Sequence, residues 1–204
     1  MIRENGAFNQ FQISAIYIPM RCGIYFGEED VTHFQNAGDR AECSVEGNHL
    51  SEKHVSQAQE ADVVIFAASW LDWVAQRLPQ TLQAFSFRPK QNIYVVGTKA
   101  FGKIDFRALL ESKESLPDLR NLPNERRLAA NETLKRLLPP EMFIDLWPIN
   151  CDAPQSYAPF TPSGELMSAD GSHLTLAGAR YLGGLIFARP PLNAYLAAVA
   201  SAAP

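Results

Sequence analysis

Apolar residues in this chain fall into short continuous runs separated by stretches with helical spacing. Asp62-Val63-Val64-Ile65-Phe66-Ala67-Ala68 and Asn92-Ile93-Tyr94-Val95-Val96-Gly97 are the clearest runs. Runs of this length predict strands buried on both faces, because a solvated face would alternate with polar residues. Ile13-Ser14-Ala15-Ile16-Tyr17-Ile18 is β-branched and aromatic, ends at Pro19, and predicts another strand. Met142-Phe143-Ile144-Asp145-Leu146-Trp147, closed by Pro148, predicts a fourth. Between the two clear runs, Leu71, Val74, Leu78, Leu82 and Phe85 recur at helical spacing despite Pro79. Asp105 to Glu111 predicts a short helix, and Asn124 to Leu138 a longer one stopped by Pro139-Pro140. Thr175 is a natural N-cap for a helix over Leu176 to Phe187, which Pro190-Pro191 stops. Cys22 to Asn48 and Asn150 to Ala169 hold no sustained period and read as loops.

Strands alternating with helices predict an α/β fold, a three-layer α/β/α sandwich around a mostly parallel sheet. A length of 204 residues suits one domain, assigned to residues 1–188, with residues 189–204 as a C-terminal tail. The apolar share of 47% and charged share of 20% are ordinary for a soluble domain. A net charge of -4 gives no basis for a nucleic-acid partner. No apolar run approaches the roughly 18–20 residues of a membrane span, so direct membrane insertion is not expected. Met1-Ile2-Arg3-Glu4-Asn5-Gly6 lacks the apolar core of a signal peptide.

The candidate chemistry lies near the end of the chain, in Asp170-Gly171-Ser172-His173-Leu174-Thr175. A carboxylate three residues before an imidazole, on a turn feeding a helix, can aim both side chains into one cleft. There the carboxylate fixes the imidazole tautomer and stabilises its cation, which is the acid–base half of a serine-type acyl transfer. The dipeptide alone is equally an exposed Asp-Gly turn beside a surface histidine. His33, His49 and His54 read as surface residues with no zinc-site spacing to a cysteine, so no metal is expected. No Gly-rich phosphate loop follows a strand, so no nucleotide cofactor is expected either. Arg107, Arg120, Arg126 and Arg127 read as solvated faces, and Trp73 as a core or cleft-wall aromatic. Cys22, Cys43 and Cys151 form no C-x-x-C; a Cys22–Cys43 bridge in an exported protein and independent thiols both remain open.

Asp170-x-x-His173, continued as His173-Leu174-Thr175-x-x-Gly178-Ala179, resembles the final block of the SGNH (GDSL-like) hydrolase superfamily. The continuation resembles one branch, the SGNH domain fused to, or working beside, acyltransferase-3-type membrane proteins that O-acetylate bacterial surface glycans. Asp62 to Ala68, followed by Ser69-Trp70, is similar to that branch's third strand. The resemblance implies an SGNH, flavodoxin-like sheet, with Asp170 orienting His173 and His173 as the base. It places Ser69 or Trp70 where ordinary members carry an oxyanion-hole Asn, with Trp70 either lining a glycan site or packing. It also implies that Cys22 and Cys43 fall where the branch carries a cysteine pair, and that family members work outside the cytoplasm. Cys151 then reads as structural or as an unpaired remnant.

One block departs from the pattern. The family opens with a strand ending in Gly-Asp-Ser, whose serine is the nucleophile, and this chain contains no Gly-Asp-Ser. Residues 1–9 are similar to the helix after that strand, and Ile13 to Ile18 to the family's second strand. The sheet is therefore expected to lack its first strand, which the family places between its second and third. An unpaired buried backbone group costs about 1–3 kcal/mol against a folding stability of about 5–15 kcal/mol, so a gap of that kind is not sustainable. Two resolutions follow: a start upstream of Met1, or a degenerate copy that closes the gap by direct pairing. Among the alternative serines, Ser14 points to a sheet face and Ser172 sits too close along the backbone to His173. Ser69, at a strand tip, is the least unsuitable, and the nucleophile is left unassigned.

The function implied is an acyltransferase or esterase acting on O-acyl groups of a surface glycan, without metal or organic cofactor. Its partners would be a glycan or acylated small molecule and a membrane acyltransferase. The alternative is an inactive copy that keeps the cleft as a glycan-binding or assembly module.

Overall fold

The computed structural model describes residues 11–99, 118–151 and 156–202, together with residues 104, 105, 107, 111 and 116. The expected helix at Asp105 to Glu111 lies mostly outside the described residues. The chain forms two compact units. One comprises Ser14–Thr98 and Ala129–Phe143, and the other Met1–Ile13, Lys99–Leu128 and Ile144–Pro204.

The first unit is built on the strands. After a 3-10 turn at Thr32–Phe34 come α1 (Ala37–Cys43), α2 (Glu52–Glu60), β1 (Val63–Ala67), α3 (Asp72–Ala84) and β2 (Asn92–Val96). Most of helix α4 (Glu125–Leu137) and the first residue of the short β3 (Phe143–Ile144) complete the set; Glu125–Leu128 and Ile144 belong to the other unit. The sheet order is β1-β2-β3. β1 and β2 are parallel, in register from Val63 opposite Asn92 to Ala67 opposite Val96. The Val95 N–H donates to the Met142 carbonyl at 2.8 Å. Parallel strands joined by a crossover helix form the expected α/β architecture. One core joins Phe66, Val95 and Phe143 to Val55 and Ala58 of α2, Trp73, Val74 and Leu78 of α3, and Ala130 and Leu134 of α4.

Three expectations are corrected within this unit. Ile13 to Ile18 forms no strand; Ile13, Ile16 and Tyr17 are exposed, Tyr17 at 81%. Its β-forming composition finds no ladder and no cross-strand side chains here, and those are what stabilise a strand. β1 lies at an edge of the sheet with Ile65 exposed, so burial on both faces is not realised. The loop expected over Cys22 to Asn48 holds helical turns. Asn36 caps α1 by accepting from the Asp39 N–H at 2.9 Å, and Ser51 with His54 forms a capping box on α2. Cys43, the last residue of α1, is joined to Cys22 by a disulfide. Trp73 packs in the core with Phe34 stacked on it at 5.2 Å, and Arg77 pairs with both Glu29 oxygens at 2.7 Å.

The second unit holds α5 (Trp147–Asn150), α6 (Leu176–Phe187) and α7 (Leu192–Ala202). The expected strand to Trp147 is cut short because Trp147 and Pro148 open a helical turn, where the proline's missing N–H costs nothing. The expected tail is helical: α7 covers most of it, as its alanine-rich sequence favours. Between α5 and α6 the chain is held by antiparallel bridges, Asn121 with Tyr157, Phe160 with Leu166, and Ser168 with Leu174. Tyr157 and Met167 are fully buried beneath them.

Candidate functional site

The Ser168–Leu174 bridge closes a tight loop whose tip is Asp170-Gly171-Ser172-His173. Gly171 takes a left-handed conformation, φ 76°, which suits a residue without Cβ. The Asp170 carboxylate serves two purposes through its two oxygens. Oδ1 accepts from the backbone N–H of Ser172 at 2.8 Å and of His173 at 2.7 Å, an Asx-type turn that shapes the loop. Oδ2 lies 2.6 Å from Nδ1 of His173. The first oxygen builds the turn; the second aims the ring.

The base of the loop is anchored to α6. The Thr175 N–H donates to the Met167 carbonyl at 2.9 Å, and Thr175 Oγ1 accepts from the Gly178 N–H at 3.0 Å, so the expected N-cap is present. Gly178 lies so close to Met167 that an added Cβ would stand 2.4 Å from its carbonyl oxygen. Glycine is therefore needed for α6 to start against the loop that carries Asp170 and His173.

The electrostatics favour an ionised carboxylate. The His173 side chain, then the backbone N–H groups of His173 and Ser172, hold the Asp170 carboxyl well below the usual carboxylate range. A carboxylate on Nδ1 favours the Nδ1–H tautomer and leaves Nε2 with its lone pair. The pair is open to solvent, with side-chain exposures of 89% for His173 and 54% for Asp170. Among the described residues, Nε2 has no hydrogen-bond partner. Chemically, the arrangement can take a proton at Nε2 and hold the resulting cation.

The other sequence candidates lie in the first unit. Ser69 is half-buried past the end of β1. Trp70 is only 4% exposed, and its indole N–H donates to the Val96 carbonyl at 2.8 Å. Of its two readings, packing is the one observed. Ser14 Oγ accepts from Gln57 Nε2.

Sequence reasoning missed two neighbours of the loop. Arg127, read as part of a solvated face, is half-buried and places Nη2 3.5 Å from Ser172 Oγ. Lys99, just past β2, is half-buried; burial first, and then the Arg127 charge, lower its pKa, while the Asp170 charge raises it. A lone arginine on a polar helix and a lysine after a strand carry no sequence signal of this proximity. Among the described residues, no group of three or more His, Cys, Asp or Glu could hold a metal ion. No helix there is long and apolar enough to cross a membrane.

A family model described as the SGNH domain (fused to AT3 domains) matches residues 5–187. The chain belongs to this SGNH family. Asp170 and His173 lie inside the matched span, and hydrolase or acyltransferase-type activity is what the SGNH family supports in general. No curated protein and no solved structure matches the chain.

Proposed function

We propose that this SGNH domain acts on O-acyl groups, principally O-acetyl groups, of a bacterial surface glycan through acid–base chemistry at His173. The observation that carries the reading is the 2.6 Å contact between Asp170 Oδ2 and His173 Nδ1, with no hydrogen-bond partner on Nε2 among the described residues. Nε2 takes the proton of a nucleophilic hydroxyl as its oxygen bonds to the acyl carbon. The tetrahedral oxyanion then collapses, the C–O bond to the sugar breaks, and the imidazolium returns the proton to the leaving oxygen. Asp170 orients the ring and stabilises its cation. Water or an acceptor hydroxyl takes the acyl group in the second half. A membrane acyltransferase is the partner that would supply or receive it, and Ser69 is the residue proposed to assist the oxyanion.

A second reading is a glycan-binding or assembly module without turnover. Among the described residues, no serine hydroxyl is hydrogen-bonded to His173 Nε2, which favours it. Hydrolysis of p-nitrophenyl acetate by the protein and by His173→Ala separates the two. Loss of turnover in the variant supports acyl transfer; equal rates remove His173 from any mechanism and leave the binding module.

A further inference from the structure

Among the described residues, two cations beside the Asp170–His173 loop, Arg127 and Lys99, face one carboxylate, Asp170. Arg127 reaches Ser172 Oγ with Nη2 at 3.5 Å, a long contact to a neutral hydroxyl. Among the described residues it forms no ion pair with a carboxylate, and neither does Lys99. Lys99 is half-buried and makes no hydrogen bond there; the N–H of its neighbour Thr98 donates to Asn131 Oδ1 at 3.0 Å, one helical turn from Arg127, which sets residue 99 beside that arginine. A half-buried ammonium without a partner is costly, and a second cation nearby raises that cost. Asp170 is the carboxylate whose charge reaches Lys99, but its oxygens are already taken by two backbone N–H groups and the imidazole. One further anion would satisfy both cations.

We propose that Lys99 and Arg127 form an anion-binding site beside Asp170 and His173, which selects a carboxylate-bearing sugar, a uronic-acid type unit, as the acylated substrate. The inference rests on reading Asp170 and His173 as an acyl-transfer pair, and it names the substrate class for that pair. A planar guanidinium matches a carboxylate with two parallel N–H donors, and an ammonium supplies a point charge alongside it. The distance from Arg127 to Ser172, one residue from the imidazole, sets the anion next to the reacting ester. A charge on the same sugar ring as the ester would then be read during catalysis.

The test is a titration of the protein with galacturonate, galactose and inorganic phosphate, followed by the amide shifts of Ser172 and His173. Galacturonate is expected to bind at least about tenfold more tightly than galactose, the worth of one charge-assisted contact. Lys99→Met and Arg127→Gln should each weaken galacturonate by about five- to tenfold, with Arg127→Lys keeping part of the affinity. Lys99→Met keeps the side-chain volume, and a circular-dichroism melt checks that each variant is folded. Equal binding of galactose, or unchanged galacturonate affinity in both folded variants, overturns the proposal. Phosphate bound as tightly as galacturonate overturns the sugar assignment and leaves a general anion site. If His173→Ala hydrolyses an uncharged ester as fast as the parent while galacturonate still binds through Lys99 and Arg127, the acyl-transfer reading fails and the anion site stands. The reverse pattern fails this inference alone.

Discussion

Gly178→Ala sets two physical effects of opposite sign against each other at the root of the candidate site. Glycine inside a helix is worse than alanine by about 1 kcal/mol, so propensity alone makes the substitution stabilising. Packing says otherwise. The new Cβ would stand 2.4 Å from the Met167 carbonyl oxygen, 2.8 Å from its Cα and 3.0 Å from its carbonyl carbon. These are backbone atoms, and the same carbonyl accepts the Thr175 N–H that starts α6. They cannot move aside as a flexible side chain would. Overpacking of this kind costs about 1–3 kcal/mol, and a contact with fixed backbone belongs at or above the upper end. The expected net loss is about 2 kcal/mol, a fall in Tm of about 4–8 °C for a chain of this size. Gly184→Ala, at an exposed position in the middle of α6, is the control and should raise stability by about 1 kcal/mol. Thermal melts of the three proteins decide the matter. The reasoning is refuted if Gly178→Ala is as stable as Gly184→Ala. The amide signals of Ser172 and His173 should shift in Gly178→Ala and stay in place in the control.

Other outcomes follow from single contacts. Replacing Cys22 and Cys43 by serine frees a loop of sequence separation 21. Chain entropy puts that loss at about 3 kcal/mol, read as a lower urea midpoint; an unchanged midpoint contradicts a stabilising bridge. Trp70→Phe leaves the part-buried Val96 carbonyl without its indole donor and should cost about 1 kcal/mol, with no loss of ligand binding. The Asp170 carboxyl, followed by carbon NMR, should titrate below its ordinary value of 3.8, and His173→Ala should move it upward. A lowered folded value means that the ionised carboxylate's contribution to the loop is complete above the ordinary carboxylate pKa. It is lost only as pH falls through the lowered value. An Asp170 titration at the ordinary value would contradict the shared hydrogen bonding.

The elements legible in the sequence were those set by local rules. Asn92 to Val96, the helix from Asp72 and the helix from Leu176 with its Thr175 cap lie where periodicity and capping put them. Partnership was not legible. Ile13 to Ile18 has the composition of a strand, but composition does not say whether a neighbour is present to complete the ladder. Ile65 sits in an apolar run yet faces outward, because Ile65 and Ala67 share an exposed face of β1 while Phe66 on the opposite face is buried. The helix at Ala37, inside the stretch read as loop, begins at Asn36, whose capping is visible in the sequence once a polar stretch is not assumed to be a loop. In the site, the Asp170–His173 spacing along the chain was enough to place the two together. Lys99 and Arg127 come from distant segments, and only the fold brings their charges to the same loop.

The most direct test of the Asp170–His173 account is the tautomer of the neutral His173 ring, read from its nitrogen chemical shifts and couplings. The proton should reside on Nδ1, with Nε2 bare. Asp170→Asn, whose amide would donate to Nδ1, should move the proton to Nε2. A parent protein with its proton on Nε2, or an Asp170→Asn variant with the same tautomer as the parent, would contradict an imidazole aimed as a base.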